Sequence, residues 1–178
     1  MNRQSLVISA LGEDQPGIVD AVSKAVLEHH CSIADSRMAV LGGEFAIILR
    51  VTGNRENVVA LQQSLPGLQE SLGLTLISKL TTERRTRNDR IPYRVTAVSL
   101  DHPGIVQRIA EFFARRSINI EDLKTDSYPA AHTGTPLFRI TMCVHVPADQ
   151  RLPELRDQFA AFCDELNIDM DMEQSDRL

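Results

Sequence analysis

Two hexapeptides in this chain are near copies of each other: Asp14-Gln15-Pro16-Gly17-Ile18-Val19 and Asp101-His102-Pro103-Gly104-Ile105-Val106, an offset of 87 (101 − 14). An internal repeat constrains a fold more than any local propensity, because each copy must be a folding unit of its own. The surroundings repeat as well. After the first copy, Ile18, Val22, Ala25, Val26 and His29 fall on one helical stripe. The same offset gives Ile105, Ile109, Phe112, Phe113 and Arg116. The apolar part of the stripe is kept at helical spacing while the residues change.

Each copy reads as the same run of elements. In the first, Ser5–Leu11 is a short apolar strand ended by Gly12, and Pro16 stands at the first helical position, where its missing N–H costs nothing. Ile33–Leu41 and Glu44–Thr52 are strands around Gly42-Gly43, a two-residue hairpin signal. Phe45, Ile47, Leu49 and Val51 share one face of the second of these. Arg55–Leu72 is a helix with Val58, Leu61, Leu65, Leu68 and Leu72 inward, broken or kinked at Pro66-Gly67. Leu74–Leu80 is the fourth strand. The order β-α-β-β-α-β is the split βαβ arrangement of ferredoxin-like α+β domains.

In the second copy the strands are Tyr93–Leu100, Ile118–Ser127, Pro136–Val146 and Ile168–Glu173. Leu152, Leu155, Phe159, Phe162 and Leu166 mark its second helix, with Pro153 in the first turn. Phe45 matches Phe138 at an offset of 93, so the second hairpin is six residues longer (93 − 87 = 6). The extra length falls in Tyr128–Gly134, a loop expected to project beyond the sheet. The polar run 81–90, with Arg84, Arg85, Arg87 and Arg90, reads as a solvated linker. The domains are therefore 1–82 and 92–178, joined by 83–91.

Composition narrows the function. Hydrophobic residues make up 43% and charged residues 24%, values of an ordinary soluble protein. A net charge of −5 argues against holding nucleic acid, which needs a basic face. Cys31, Cys143 and Cys163 are too few and too scattered for a disulfide framework, and read as buried thiols in a reducing cytoplasm. No secretory leader and no membrane span are expected.

The Asp-X-Pro-Gly loops carry the chemistry. Each stands where a strand gives way to a helix, whose first N–H groups are unpaired and whose dipole is positive. A carboxylate fits there. The glycine lets a ligand approach the backbone. Asp14 and Asp101 could cap the helix or accept from an ammonium group, so an α-amino acid could be gripped at both ends. His29-His30-Cys31 are consecutive and lack the spacing of metal ligands. Cys143 and His145 share a strand face, but no third group completes a nucleophilic set. No catalytic residue, metal ligand or cofactor site is expected.

Leu6–Gly12, Asp14–Val19, Asp35-Ser36-Arg37-Met38-Ala39 and Leu41–Phe45, with Asp101–Val106 and Ile118–Asp122, together resemble tandem ACT-domain proteins. Within these the chain is most similar to the bacterial glycine cleavage system transcriptional repressor family. The resemblance implies two ferredoxin-like ACT domains with helices on one face, their antiparallel sheets joined side by side. It implies amino-acid sites where the loop of one domain faces the second strand of its neighbour, with an Asn at the start of that strand.

Here the copies diverge: Asn119 stands in copy two and Ser32 in copy one. Serine lacks the amide that can donate and accept at that reach. Pairing within the chain would set loop 14–17 against Asn119, which ranks that pocket as the better one. The implied site residues are Asp14, Gln15, Pro16, Gly17, Ile18 and Ser32, and Asp101, His102, Pro103, Gly104, Ile105, Asn119 and Ile120. The implied function is non-enzymatic: an amino-acid-responsive, homo-oligomeric repressor of the glycine cleavage operon. It would respond to glycine and act through a transcriptional activator protein rather than on DNA. The alternative is an amino-acid-binding regulatory subunit of a biosynthetic enzyme.

Overall fold

The computed structural model describes residues 3–82, 89–130 and 133–175. It divides into two compact units, Met1–Arg85 and Thr86–Leu178. In the first unit β1 (Arg3–Glu13), α1 (Ile18–Glu28), β2 (Ser32–Leu41), β3 (Glu44–Asn54), α2 (Arg55–Leu72) and β4 (Thr75–Thr81) follow in order. Its antiparallel sheet runs β2-β3-β1-β4. The second unit repeats this with β5 (Arg90–Leu100), α3 (Ile105–Ala114), β6 (Asn119–Pro129), β7 (Pro136–Pro147), α4 (Leu152–Glu165) and β8 (Asp169–Gln174), in the sheet order β6-β7-β5-β8.

Strand alternation builds each core. Phe45, Ile47, Leu49 and Val51 are all buried, and the register sets Val51, Leu49 and Ile47 opposite Leu6, Ile8 and Ala10. Onto this face pack Ile18, Val22 and Val26 of α1 and Val58, Leu61 and Leu65 of α2. Both helices therefore lie on one side of the sheet. On the helices the second core is aromatic where the first is aliphatic. Phe112 and Phe113 of α3 meet Phe159 and Phe162 of α4, with ring centroids 5.0–5.3 Å apart for the four closest pairs. Such ring pairs add about 0.5–1.5 kcal/mol each beyond their buried area. Arg116 lies over the Phe112 ring at 3.7 Å and donates to the Phe112 carbonyl at 2.9 Å.

Several expectations are corrected. Gly12 does not end β1: it sits in the strand opposite Phe45, where Leu74 packs so closely that a Cβ would fall 2.6 Å from its Cδ2. Pro66 does not break α2, which runs unbroken for 18 residues. Leu61 and Leu65 before it and Leu68 and Leu72 after it all pack on the core, and Pro66 itself is exposed. Tyr128 and Pro129 belong to β6, paired with Leu137 and Pro136, so the connection from β6 to β7 is shorter than expected. Arg139 stacks on the Tyr128 ring at 4.4 Å. Thr81 and Arg90 are strand residues, so the connection is shorter than 81–90; Arg84, Arg85 and Arg87 lie outside the described residues. Gly42 and Gly43 turn the hairpin as expected, with φ of 62° and 90°.

All three cysteines are free and buried. Burial pushes the Cys31 thiol up. It does the same more strongly for Cys163, which reaches about 12 with a smaller push from Asp164.

Gly12→Ala should lower unfolding stability by about 1–3 kcal/mol in a urea titration, because Leu74 must leave its place. An unfolded thiol ionises near 9.0 and folded Cys163 near 12, so the unfolded chain loses its proton first. Stability gained from that buried neutral thiol is whole below pH 9 and declines as pH rises through this window. The urea midpoint should fall accordingly, and Cys163 should react with thiol reagents only after denaturation.

Candidate functional site

The two Asp-X-Pro-Gly loops fold alike. Each leaves the end of a central strand, and the glycine takes a left-handed conformation: φ is 97° at Gly17 and 95° at Gly104. A Cβ at either place would meet nothing within 4 Å, so the glycine is required by backbone conformation and not by packing. The helices begin one residue later, at Ile18 and Ile105. Pro16 and Pro103 therefore lie in the turn, before the helix rather than in its first position.

The glycines are the N-caps. Their carbonyls accept the first helical bonds, from Ala21 N–H at 2.9 Å and Arg108 N–H at 3.0 Å. No side chain caps either helix. Asp14 and Asp101 are exposed and do not serve as caps. The leading N–H groups of α1 and α3 thus keep their donors and the positive end of the dipole for something else.

Around this shared core the loops differ. In the first unit Asp14 N–H donates to the Gly43 carbonyl at 3.0 Å, and Gln15 Nε2 donates to the Leu72 carbonyl at 3.0 Å. Gln15 ties the loop to the end of α2. In the second unit His102 is exposed, its Nδ1 3.3 Å from the Pro103 carbonyl. The third helical residue is Asp20 in α1 and Gln107 in α3. Gln107 donates to Glu111 at 3.1 Å, and with Arg115 this holds the Glu111 carboxyl below the usual range. A cavity of about 520 Å³ opens at the second loop, lined by Asp101, His102, Gly104, Gln107, Ala110 and Phe138 among others. Phe45, the counterpart of Phe138, is 1% exposed within the first core, whereas Phe138 is only partly buried and packs on the second core while lining this cavity.

Ser32 and Asn119 open the second strands, each at the far end of its unit from that unit's own loop. Asn119 opens β6 opposite His145, whereas loop 101–104 follows Leu100, at the end of the sheet where Leu137 pairs with Tyr128. A strand rises about 3.3 Å per residue, so the length of β6 separates them by roughly 30 Å. Ser32, opposite Thr52, stands at the far end of its own sheet in the same way. Within a unit, the loop and the second-strand residue are not brought together. Ile120 packs against the second core.

His29 caps the C-terminus of α1, its ring bonded to the Ala25 carbonyl at 2.8 Å, and Cys31 is buried. Cys143 and His145 share the sheet face away from the helices, and Glu121 joins them through a bulge in β6. Sequence spacing gave no sign of that third residue, because a bulge inverts the alternation that spacing assumes. Burial first, then Glu121 and Asp122, push the Cys143 thiol up against the pull of Arg94, which makes it a poor nucleophile. Among the described residues no helix is long and apolar enough to cross a membrane.

Residues 4–78 match the family model of the ACT domain. The chain is 32% identical to the glycine cleavage system transcriptional repressor of Escherichia coli K12 over 162 residues, 91% of this chain and 85% of that one. The Shigella flexneri protein of the same name gives the same values. Among solved structures, a protein of unknown function from Galdieria sulphuraria superposes with a TM-score of 0.80 at 29% identity, covering 98% of this chain and all of that one. A protein proposed to be a glycine cleavage system transcriptional repressor gives 0.75 at 27%, covering 99% and 100%. With such identity sustained along both chains, this chain belongs to the glycine cleavage system transcriptional repressor family of ACT-domain proteins.

Proposed function

We propose that this protein is a non-enzymatic, amino-acid-responsive regulator, and that loop 101–107 holds the carboxylate of its ligand. The observation that carries this reading is the uncapped N-terminus of α3 opening onto a cavity, with no acidic residue in its first turn. A carboxylate there would accept from the leading N–H groups of α3, and Asp101 at the cavity rim would accept from the ammonium group. The small-residue approach at Gly104 suits glycine and other short amino acids.

The two loops are not equivalent on this reading. Asp20 places its own negative charge at the N-terminus of α1, where it competes with an incoming carboxylate. Gln107 does not. The Ser32–Asn119 difference ranks the loops the other way, but those residues can join a loop only from a copy of the fold other than the loop's own. Charge in the first turn acts directly on the donors, so the second loop is favoured.

Similarity to glycine cleavage system transcriptional repressors supports regulation of the glycine cleavage operon, and glycine is the proposed signal. The acidic net charge supports action through a protein partner, a transcriptional activator, rather than direct contact with DNA. A ligand shifts such a regulator only by binding its two states unequally. Homo-oligomerisation and a reducing cytoplasm complete the proposal.

Thermal unfolding of the full chain should be raised by glycine or another short amino acid. A ligand at 100 times its dissociation constant adds about 2.7 kcal/mol. Calorimetry on Gln107→Asp should show affinity roughly 2–5-fold weaker, the value of one charge at a helix terminus. Asp20→Asn should leave the stronger site unchanged. Absence of stabilisation by any amino acid, or full affinity in Gln107→Asp, would contradict the assignment.

A further inference from the structure

The second strand of each unit carries one extra residue against the third: Ala34, between Ile33 and Asp35, and Glu121, between Ile120 and Asp122. The bulge is thus a property of the fold. What it presents is not. Ile140, Met142, Val144 and Val146 face the core, so Cys143 and His145 lie on the opposite face of β7. Ile120 is paired with Val144 and Asp122 with Cys143, so Glu121 is the residue the bulge pushes out of the alternation. Its carboxylate lies directly against His145 Nε2. One ligand atom from each of Glu121, Cys143 and His145 lies within 4.8 Å of the other two. The first unit has Ala34, Arg50 and Thr52 at these places, by the offsets of 87 and 93. The fold is therefore built without this trio, and the trio needs its own explanation.

We propose that Glu121, Cys143 and His145 bind a thiophilic divalent cation of the zinc class. The donors are one cysteine sulfur, one imidazole nitrogen and one carboxylate oxygen; the metal displaces the thiol proton to solvent as it binds, and soft and borderline ligands of this kind select zinc over magnesium or calcium. Three protein ligands with a fourth position left to water is the composition of an open zinc site. Bond lengths of about 2.0–2.3 Å put two ligand atoms of one tetrahedral zinc roughly 3–4 Å apart, so the direct Glu121–His145 contact would open to admit the ion while all three ligand atoms stay within 4.8 Å of one another. Two of the ligands stand two residues apart on a central strand and the third on its neighbour, so the backbone holds them before a metal arrives. Burial is graded: Cys143 is 7% exposed, the His145 side chain 18% and that of Glu121 45%, which leaves an entry on the Glu121 side. Asp122, opposite Cys143, adds negative charge, and Arg94 on the other flank lies 3.5 Å from Glu173. The site is at the far end of β7 from loop 101–107 and is independent of the amino-acid reading.

The test is titration of the reduced full chain with Co²⁺, followed by displacement with Zn²⁺. One equivalent should give tetrahedral ligand-field bands and a sulfur-to-cobalt charge-transfer band. Glu121→Ala and His145→Thr place in the second unit what the first unit already carries, so they should keep the metal-free melting temperature. Each should weaken binding by at least the roughly 10–100-fold that even outer-shell changes cost. Cys143→Ala should abolish the charge-transfer band. Failure of the wild-type chain to take up one equivalent of Co²⁺ or Zn²⁺ would overturn the site. So would a charge-transfer band that survives in Cys143→Ala, or undiminished affinity in both Glu121→Ala and His145→Thr.

Discussion

A single backbone reversal governs each candidate site. The chain leaves a central strand, passes a proline and enters a helix through a glycine held at φ near 95°. No L-residue with a side chain takes that conformation without strain of order 1–3 kcal/mol. The reversal puts a side-chain-less residue at the N-cap, so the helix starts with its donors unserved. Elsewhere in the first unit the chain behaves differently: Asn54 caps α2 by accepting from Asn57 N–H at 2.8 Å. The contrast within one unit separates a helix start that is satisfied locally from one that is left open.

The duplicated scaffold then supports different chemistry in each copy. Aliphatic side chains of α1 and α2, with Phe45 from the sheet, hold the first pair of helices, and a cluster of four phenylalanines holds the second. Phe45 is consumed by its core, while Phe138 lines a cavity. Asp20 occupies the helix terminus that Gln107 leaves neutral. The shared bulge displays Ala34 in one copy and Glu121 in the other. Register and topology are preserved because the apolar alternation is preserved; the polar positions, which the cores do not use, are free to diverge.

Much of this was legible in the sequence. The repeat and the apolar periodicities of β3, α2 and α4 gave element order and core residues, and Gly42-Gly43 gave the hairpin. Local breaker rules failed where packing overrides them. Gly12 looked like a strand end and is instead a close-contact position against Leu74. Pro66 looked like a break, yet the leucines on both sides of it hold α2 to the core. The loop glycines read as openings for a ligand; that the backbone itself requires them at φ near 95° shows only in the fold, as does the absence of a side-chain cap, which depends on where Asp14 and Asp101 point. The Glu121–Cys143–His145 cluster was half visible: two residues two apart on a strand, with the third supplied by a bulge that leaves no mark in spacing.

An amino-acid carboxylate seated at the open N-terminus of α3 would be seen at single residues by NMR titration of the full chain with glycine. Saturable shifts should be led by the backbone amides of Gly104, Ile105, Val106 and Gln107, with the equivalent amides from Gly17 to Asp20 responding later. Saturable shifts confined to other residues, with those four amides unmoved, would contradict that seat.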